Sequence, residues 1–257
     1  MNNVNIMDST LIYDWSKLRE SDLLSKIRSD WNALLKSKKC KESEYHSFLA
    51  ENAGLFFASP MGCYSVLSKT KLGDDFEVDF ITLTEGYSEG IFYELIEIES
   101  PHTPPFNRNG DPSARLTHAI RQIRDWQHWM RENRSKLCKL LPNINYKLSG
   151  RFPQFRYKII IGNRENSESH VERRNQYSDA EKISIRSFDS LTDPLEAGFF
   201  SSKAHLFSTQ AESLNPLLMN RIANPFFRAT VHHDWKKIVD NLENEKHFFT
   251  SNLEKIL

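Results

Sequence analysis

The stretch FEVDFITLTEGYSEGIFYELIEIESP, residues 76–101, closes on two carboxylates, Glu97 and Glu99, set either side of Ile98. Along a strand, successive side chains alternate faces. Tyr93, Leu95, Glu97 and Glu99 therefore share one face, and Phe92, Glu94, Ile96 and Ile98 the other. Two like charges on one face repel unless something positive lies between them. A third acid, Asp79, lies on the preceding strand in the set Glu77, Asp79 and Ile81, where antiparallel pairing can bring it opposite Glu97. Hard oxygen donors converging at a strand end suit Mg²⁺ or Mn²⁺. Such an ion polarises a phosphoryl group and lowers the pKa of a bound water, which is the equipment of phosphodiester hydrolysis. The plainer alternative is a solvated strand face whose acids pair with lysines. Against it stands the proline-rich loop PHTPPFNRNGDP, which follows at once. Loops at strand ends often carry function.

The helix after that loop adds a second set of groups. It carries Arg115, His118, Arg121, Gln122, Arg124 and Arg131, and Arg108 precedes it in the loop. Guanidinium forks bind phosphates. Gln122 can hold a phosphate or a metal-bound water without adding charge, and Trp126, four residues on, shares its face. Read by itself, such a row is an ordinary wet helix face. His46, two residues from Glu44, reads as a helix-surface residue rather than a ligand or base, and His232 and His233 read as structural, because adjacent histidines on a helix diverge by about 100°. His102 and His118 are open candidates for DNA contact.

These groups need a scaffold. Ser21 and the spacing of Leu23, Leu24, Ile27, Trp31, Leu34 and Leu35 predict a first amphipathic helix. EYHSFLAENAGLFF predicts a second. CYSVLSK and FEVDFITL, joined by TKLGDD, read as a hairpin, and IFYELIEIE adds a third antiparallel strand. Ser113 caps a long helix over about 114–140, with the stripe Leu116, Ala119, Ile120, Ile123, Trp126, Met130 and Leu137. YKIIIGN reads as a strand buried on both faces. ERRNQYSDAEK reads as irregular to helical, ISIRSF as a fifth strand, and DPLEAGFFSSKAHL as a short helix. The tail carries a helix through Trp235, Ile238, Val239 and Leu242. The phenylalanine-rich segments around Phe199, Phe226 and Phe248 read as core or oligomer contacts. The order predicts an α/β fold with a mixed central sheet flanked by helices.

Composition sets the outer limits. The 257 residues suffice for a large core, with 39% hydrophobic and 26% charged residues. The formal net charge is zero, which argues against a uniformly basic nucleic-acid binder but leaves room for a local basic patch. Three separated cysteines, Cys40, Cys63 and Cys138, form neither a disulfide framework nor a zinc motif, so a reducing cytoplasm is the expected compartment. No apolar run has the length of a membrane span. The absence of a glycine-rich phosphate loop leaves an ATPase without support.

Taken in order, FLAEN with Glu44, SKTKLG, VDF, EIE, AIRQIRDW, IIIGNR and SIRSFDSL resemble the nuclease domain of the Shedu anti-phage defence proteins, over about residues 40–195. That domain is placed in the PD-(D/E)XK nuclease superfamily. The resemblance implies a restriction-endonuclease-like core over 41–200, with helical extensions over 1–40 and 201–257. It implies a Mg²⁺- or Mn²⁺-dependent deoxyribonuclease acting against phage DNA, and a homo-oligomer, either dimer or tetramer. By that pattern Asp79, Glu97 and the Ile98 carbonyl hold the metal, and Glu44, Asp79, Glu97, Glu99 and Gln122 form the catalytic set. Less directly, Lys69, Arg108, Arg115 and Arg121 meet DNA. Glu99 stands where the superfamily usually has lysine. A glutamate can act as base or second ligand but cannot stabilise developing negative charge, so Lys69, or Lys71, on the neighbouring hairpin is the expected substitute cation. The alternative is a catalytically weak or inactive nuclease fold that binds DNA as a sensor.

Overall fold

The computed structural model describes residues 22–57, 63–85, 91–142, 152–196 and 228–243. The expectations for residues 1–20, for Phe199, Phe226 and Phe248, and for the rest of the C-terminal extension lie outside these. In chain order come α1 (Leu23–Lys36), α2 (Glu42–Glu51), α3 (Ala53–Phe56), β1 (Cys63–Leu72), β2 (Phe76–Glu85) and β3 (Ile91–Ile98). Then follow α4 (Ala114–Glu132), α5 (Arg134–Leu140), β4 (Gln154–Ile160), α6 (Arg164–Ser167), α7 (Val171–Glu181), β5 (Ser184–Arg186), α8 (Asp189–Glu196), β6 (Thr230–Val231) and α9 (His232–Glu243).

The strands form one six-stranded sheet in the order β5-β4-β3-β2-β1-β6. β1, β2 and β3 pair antiparallel, as the hairpin and third strand predict. β4 joins β3 in parallel, β5 joins β4 in parallel, and β6 joins the far edge of β1 in parallel. The sheet is therefore mixed and carries helices on both faces, as expected. With only Thr230 and Val231, β6 is too short to show alternation in the sequence.

Each face has its own core. On one, the stripe of α4 buries Leu116, Ala119, Ile120, Ile123, Trp126 and Met130 against Ile81, Leu83, Tyr93, Leu95 and Ile159, joined by Trp235 and Val239 of α9. Burying side chains of this size contributes about 1.5–3 kcal/mol each, which fixes α4 on the sheet. On the other face, Ile27 and Trp31 of α1, Tyr45 and Leu49 of α2, Phe188 just before α8, and Leu191 and Leu195 of α8 pack on Phe80, Ile96 and Ile98. Trp31 is fully buried, and its indole N–H donates to Thr192 Oγ1 at 2.9 Å.

Four elements differ from the sequence reading, α8 among them: it spans Asp189–Glu196 where the sequence predicts the helix over DPLEAGFFSSKAHL, and 197–206 lie outside the described residues. The second helix is two pieces, α2 and α3, parted at Asn52, and the long helix is α4 and α5, parted at Asn133. Both asparagines turn their amide back onto a carbonyl four residues earlier, Phe48 O at 2.9 Å and Trp129 O at 3.0 Å. Such local bonding competes with helix continuation. β4 starts at Gln154 and is not buried throughout: Gln154 and Arg156 are exposed, and only Ile159 and Ile160 are buried. The physical reason is that β5 reaches only Lys158, Ile159 and Ile160. The Ser113 cap is present, its hydroxyl accepting Leu116 N at 3.2 Å.

Candidate functional site

The acids gather where the antiparallel half of the sheet comes apart. The β2–β3 ladder ends at Phe80 and Ile96, one step short of Asp79 and Glu97. Beyond it, the Asp79 carboxylate takes over the role of a ladder carbonyl, its Oδ2 accepting Ile98 N at 2.9 Å. Its other oxygen, Oδ1, accepts from Lys69 Nζ at 2.5 Å. Lys69 reaches it from a left-handed backbone, with φ 51°, in the middle of β1. A non-glycine residue in that region signals a local constraint.

This kink corrects the simple alternation drawn from the sequence. Ser68 pairs with Phe80 and Thr70 with Val78, so the register holds across the kink. Val78 nevertheless packs in the α4-side core and Phe80 in the opposite one, although residues two apart on a regular strand share a face. The two strands turn together at Lys69 and Asp79. Asp79 is thereby placed between the strands, with its carboxylate pinned between Lys69 and Ile98.

β3 keeps its alternation. Leu95 belongs to the α4-side core and Ile96 and Ile98 to the other, which assigns Glu97 and Glu99 to the α4 side. Glu97 is 7% exposed, and its Oε2 is buried without a hydrogen-bond partner. Burial pushes the Glu97 carboxyl up to about 9, reinforced by the charges of Asp79, Glu99 and Glu42 and partly opposed by Lys69. Glu99 is pushed up to about 7, by burial first and then by Glu42, against the pull of Arg115. The Arg115 guanidinium lies 3.8 Å from Glu99, but its side chain is 66% exposed, so water screens most of that attraction.

Helix α2 brings Glu42 and His46 toward the acids, whereas Glu44, the acid expected from this helix, is used within the helix itself. Glu44 turns onto the start of its own helix, where Oε2 accepts Lys41 N at 2.6 Å. Glu42 is the residue that senses the cluster. Although Glu42 is exposed, the protein around it partly desolvates its carboxyl and raises it, as does Asp79, while Arg115, Lys69 and His118 draw it down. His46, one turn after Glu42, is buried and stacks on Phe80 with ring centroids 4.4 Å apart. Its Nε2 lies 3.2 Å from the Asp79 carbonyl; that oxygen can only accept, so Nε2 carries the hydrogen. The imidazole pKa is lowered, by burial first and then by Lys69, which keeps the ring neutral.

On α4, Arg115, His118 and half-buried Gln122 follow one another at helical spacing. Arg108 and Arg121 are exposed. Arg124, one of the helix arginines read as a phosphate ligand, instead forks onto Glu181 at 2.7–3.1 Å and ties α4 to α7. His102 Nε2 donates to the Ser37 carbonyl at 3.2 Å, and His232 Nδ1 accepts Lys71 N at 3.2 Å, so both act within the fold. Glu42 could have been found from the sequence. It stands four residues before His46, so the two share a helix face.

A hard divalent cation fits part of this arrangement. Glu97 offers a buried oxygen with no partner, among carboxylates that raise one another's pKa and that a cation would relieve. The cage is not gathered in advance, however. Among the described residues, no group of three or more His, Cys, Asp and Glu side chains is arranged to hold a metal ion. The positive charge at Asp79 is that of Lys69.

The fold and site define an α/β protein with an acid-rich strand end facing a basic helix. Residues 39–192, more than half of the chain, match the family model described as Shedu protein SduA, C-terminal, and the chain belongs to that family. No match is found among curated proteins. Among the described residues, no helix is long and apolar enough to cross a membrane.

Proposed function

We propose that this protein is a divalent-metal-dependent deoxyribonuclease with a restriction-endonuclease-like core, acting in defence against phage DNA. One observation carries the reading: the unpartnered, buried Glu97 oxygen beside Asp79 and Glu99. A buried polar atom left unpaired is destabilising by about 1–3 kcal/mol, and an arrangement of this kind has a use when something positive is brought to it. Asp79, Glu97 and the Ile98 carbonyl are the groups that would hold Mg²⁺ or Mn²⁺. When bound, the ion supplies Lewis acidity and an activated water.

The chain's own groups do the rest. Glu99, with a pKa of about 7, suits a general base at neutral pH. Lys69 replaces the cation missing from position 99 and stabilises charge developing on the phosphate. Arg115 and Gln122 orient the phosphate from α4. Glu42 takes the helix-acid role first assigned to Glu44. His46 holds the Asp79 backbone in place.

A second reading is favoured by one observation. Both Asp79 oxygens are already engaged, by Lys69 and by Ile98 N. A site that stayed closed in this way would make a DNA-binding sensor rather than an enzyme. Digestion of plasmid and linear DNA with Mg²⁺ or Mn²⁺, beside the Glu97→Gln variant, separates the two. Cutting by the wild type alone supports the nuclease; binding without product at any metal concentration supports the sensor. Equal cutting by both proteins removes Glu97 from the mechanism.

A further inference from the structure

The ammonium of Lys69 sits where a cation for Asp79 has to come. Asp79 Oδ1 accepts Lys69 Nζ at 2.5 Å and Oδ2 accepts Ile98 N at 2.9 Å, so each oxygen of this carboxylate already has a donor. Each donor uses lone-pair capacity that an ion would need. An ammonium and a divalent ion on one carboxylate also repel each other. Lysine and metal therefore oppose one another at Oδ1. The Glu97 oxygen, buried without a partner, shows that the lysine answers only part of the negative charge gathered there.

Lys69 is also placed to leave. The Asp79 side chain is 10% exposed, whereas that of Lys69 is 44% exposed, so the lysine enters the site from solvent. Glu77, 3.5 Å from Nζ and open to water, gives the ammonium a seat on the outer side. The left-handed backbone at φ 51° fixes where the side chain starts, and its four-carbon stem remains flexible beyond that point. A phosphate arriving at the acids competes with Asp79 for the ammonium, because lysine binds phosphate as a point charge. We propose that Lys69 is a latch on the metal site: its ammonium holds Asp79 against cations in the free protein, and a DNA phosphate draws it off, so that DNA and metal load together. The latch rests on the nuclease reading.

The test is Mn²⁺ binding, read from the free-ion signal in electron paramagnetic resonance, with and without a short DNA duplex. Ion taken up by the duplex alone is subtracted. Every protein carries Glu99→Gln so that cutting does not obscure binding. The duplex should tighten Mn²⁺ binding to this parent by about 5–150-fold, and Mn²⁺ should tighten duplex binding by the same factor. Lys69→Gly and Lys69→Gln delete the ammonium, with and without relief of the left-handed backbone. Each should bind Mn²⁺ more tightly than the parent in the absence of DNA and lose most of the gain from the duplex. An Mn²⁺ affinity of the parent that is the same with and without duplex overturns the latch. An equal gain in the parent and the variants also overturns it, and assigns the coupling to the phosphate's own ligation of the ion. Failure of both variants to fold, read by thermal melting, assigns the ion pair to the fold and overturns the latch as well. In each of these cases Mn²⁺ binding that Glu97→Gln removes leaves the nuclease reading standing. A parent that binds no Mn²⁺, with DNA or without, overturns both.

Discussion

Lys69 and Asp79 meet at 2.5 Å where both of their strands leave regular geometry. The lysine reaches the carboxylate because its backbone is left-handed, and the carboxylate is available because Asp79 stands between β2 and β3. Strain and ion pair thus belong to one device. A cation from β1 enters a cluster of acids that would otherwise face one another across β2 and β3, and Glu77, 3.5 Å away, holds it from the outer side.

The strain can be measured apart from the charge. Lys69→Ala and Lys69→Gly both delete the ion pair, but only glycine adopts positive φ freely. The glycine variant should be the more stable of the two by about 1 kcal/mol, read as a shift in urea midpoint at unchanged slope. At a regular strand position the order is reversed, because glycine weakens strands, so a more stable alanine variant would remove the kink from the account. Both variants should lose DNA cutting by at least about tenfold, the scale of general charge stabilisation at a reacting phosphate.

The acids should leave a signature in stability against pH. Glu97 and Glu99 are raised to about 9 and about 7 from 4.5. The folded state therefore holds more protons than the unfolded one between these values, and metal-free stability falls as pH rises from about 5 to 9. Neutral glutamine does not titrate. Glu97→Gln should flatten the fall and, at pH 8, raise stability by about 1–3 kcal/mol, or roughly 2–4 °C of melting temperature per kcal/mol for a chain of this size. Parallel curves for the two proteins, recorded by thermal melting across that range without divalent ions, would show that Glu97 ionises as easily as in water. Mg²⁺ added to the wild type should reproduce part of the gain by linkage.

Glu42 and Glu44 give opposite expectations although they are two residues apart. Glu44 closes the first turn of α2 through Lys41 N, so Glu44→Gln should lower stability by up to about 1 kcal/mol and leave cutting unchanged. Glu42 lies within the field of Asp79, Arg115 and His118. Glu42→Gln should keep or raise stability and reduce the cutting rate. Rates from a supercoiled-plasmid assay, set beside melting temperatures, decide the matter: the reverse pairing of effects would return Glu44 to the site.

The mixed sheet was legible because hydrophobic alternation, the Ser113 cap and the proline-rich loop are all local signals. Glu97 and Glu99 were legible for the same reason, since β3 is regular and alternation assigns their face correctly. Asp79 was legible as an acid near Glu97, but its placement was not, because Lys69 adopts a left-handed conformation that no glycine or asparagine announces. The turn of Glu44 onto the start of its own helix was not legible for a related cause. A glutamate three residues after a helix start has a capping role open to it, and in the sequence the start appeared two residues later than Glu42.

His46 links the second core to the acids, and its role divides into two testable parts. The ring stacks on Phe80, and its Nε2–H bonds the carbonyl of Asp79. His46→Phe keeps the aromatic contact and removes the donor, leaving a buried carbonyl short of a partner, at a penalty of about 1–3 kcal/mol. If the bond fixes Asp79 for its work, the variant should show a lower maximal cutting rate with little change in the substrate concentration for half-maximal rate. His46→Gln, which restores an N–H, should recover rate in preference to stability. The wild-type ring adds a pH effect of its own. Its pKa lies below 6.5 in the folded protein, so the unfolded state binds the extra proton and stability is lost as pH falls from 6.5 through the folded value. The phenylalanine variant should lack that acid limb. If it retains the limb in full, the titrating group is another one and His46 is only a packing residue.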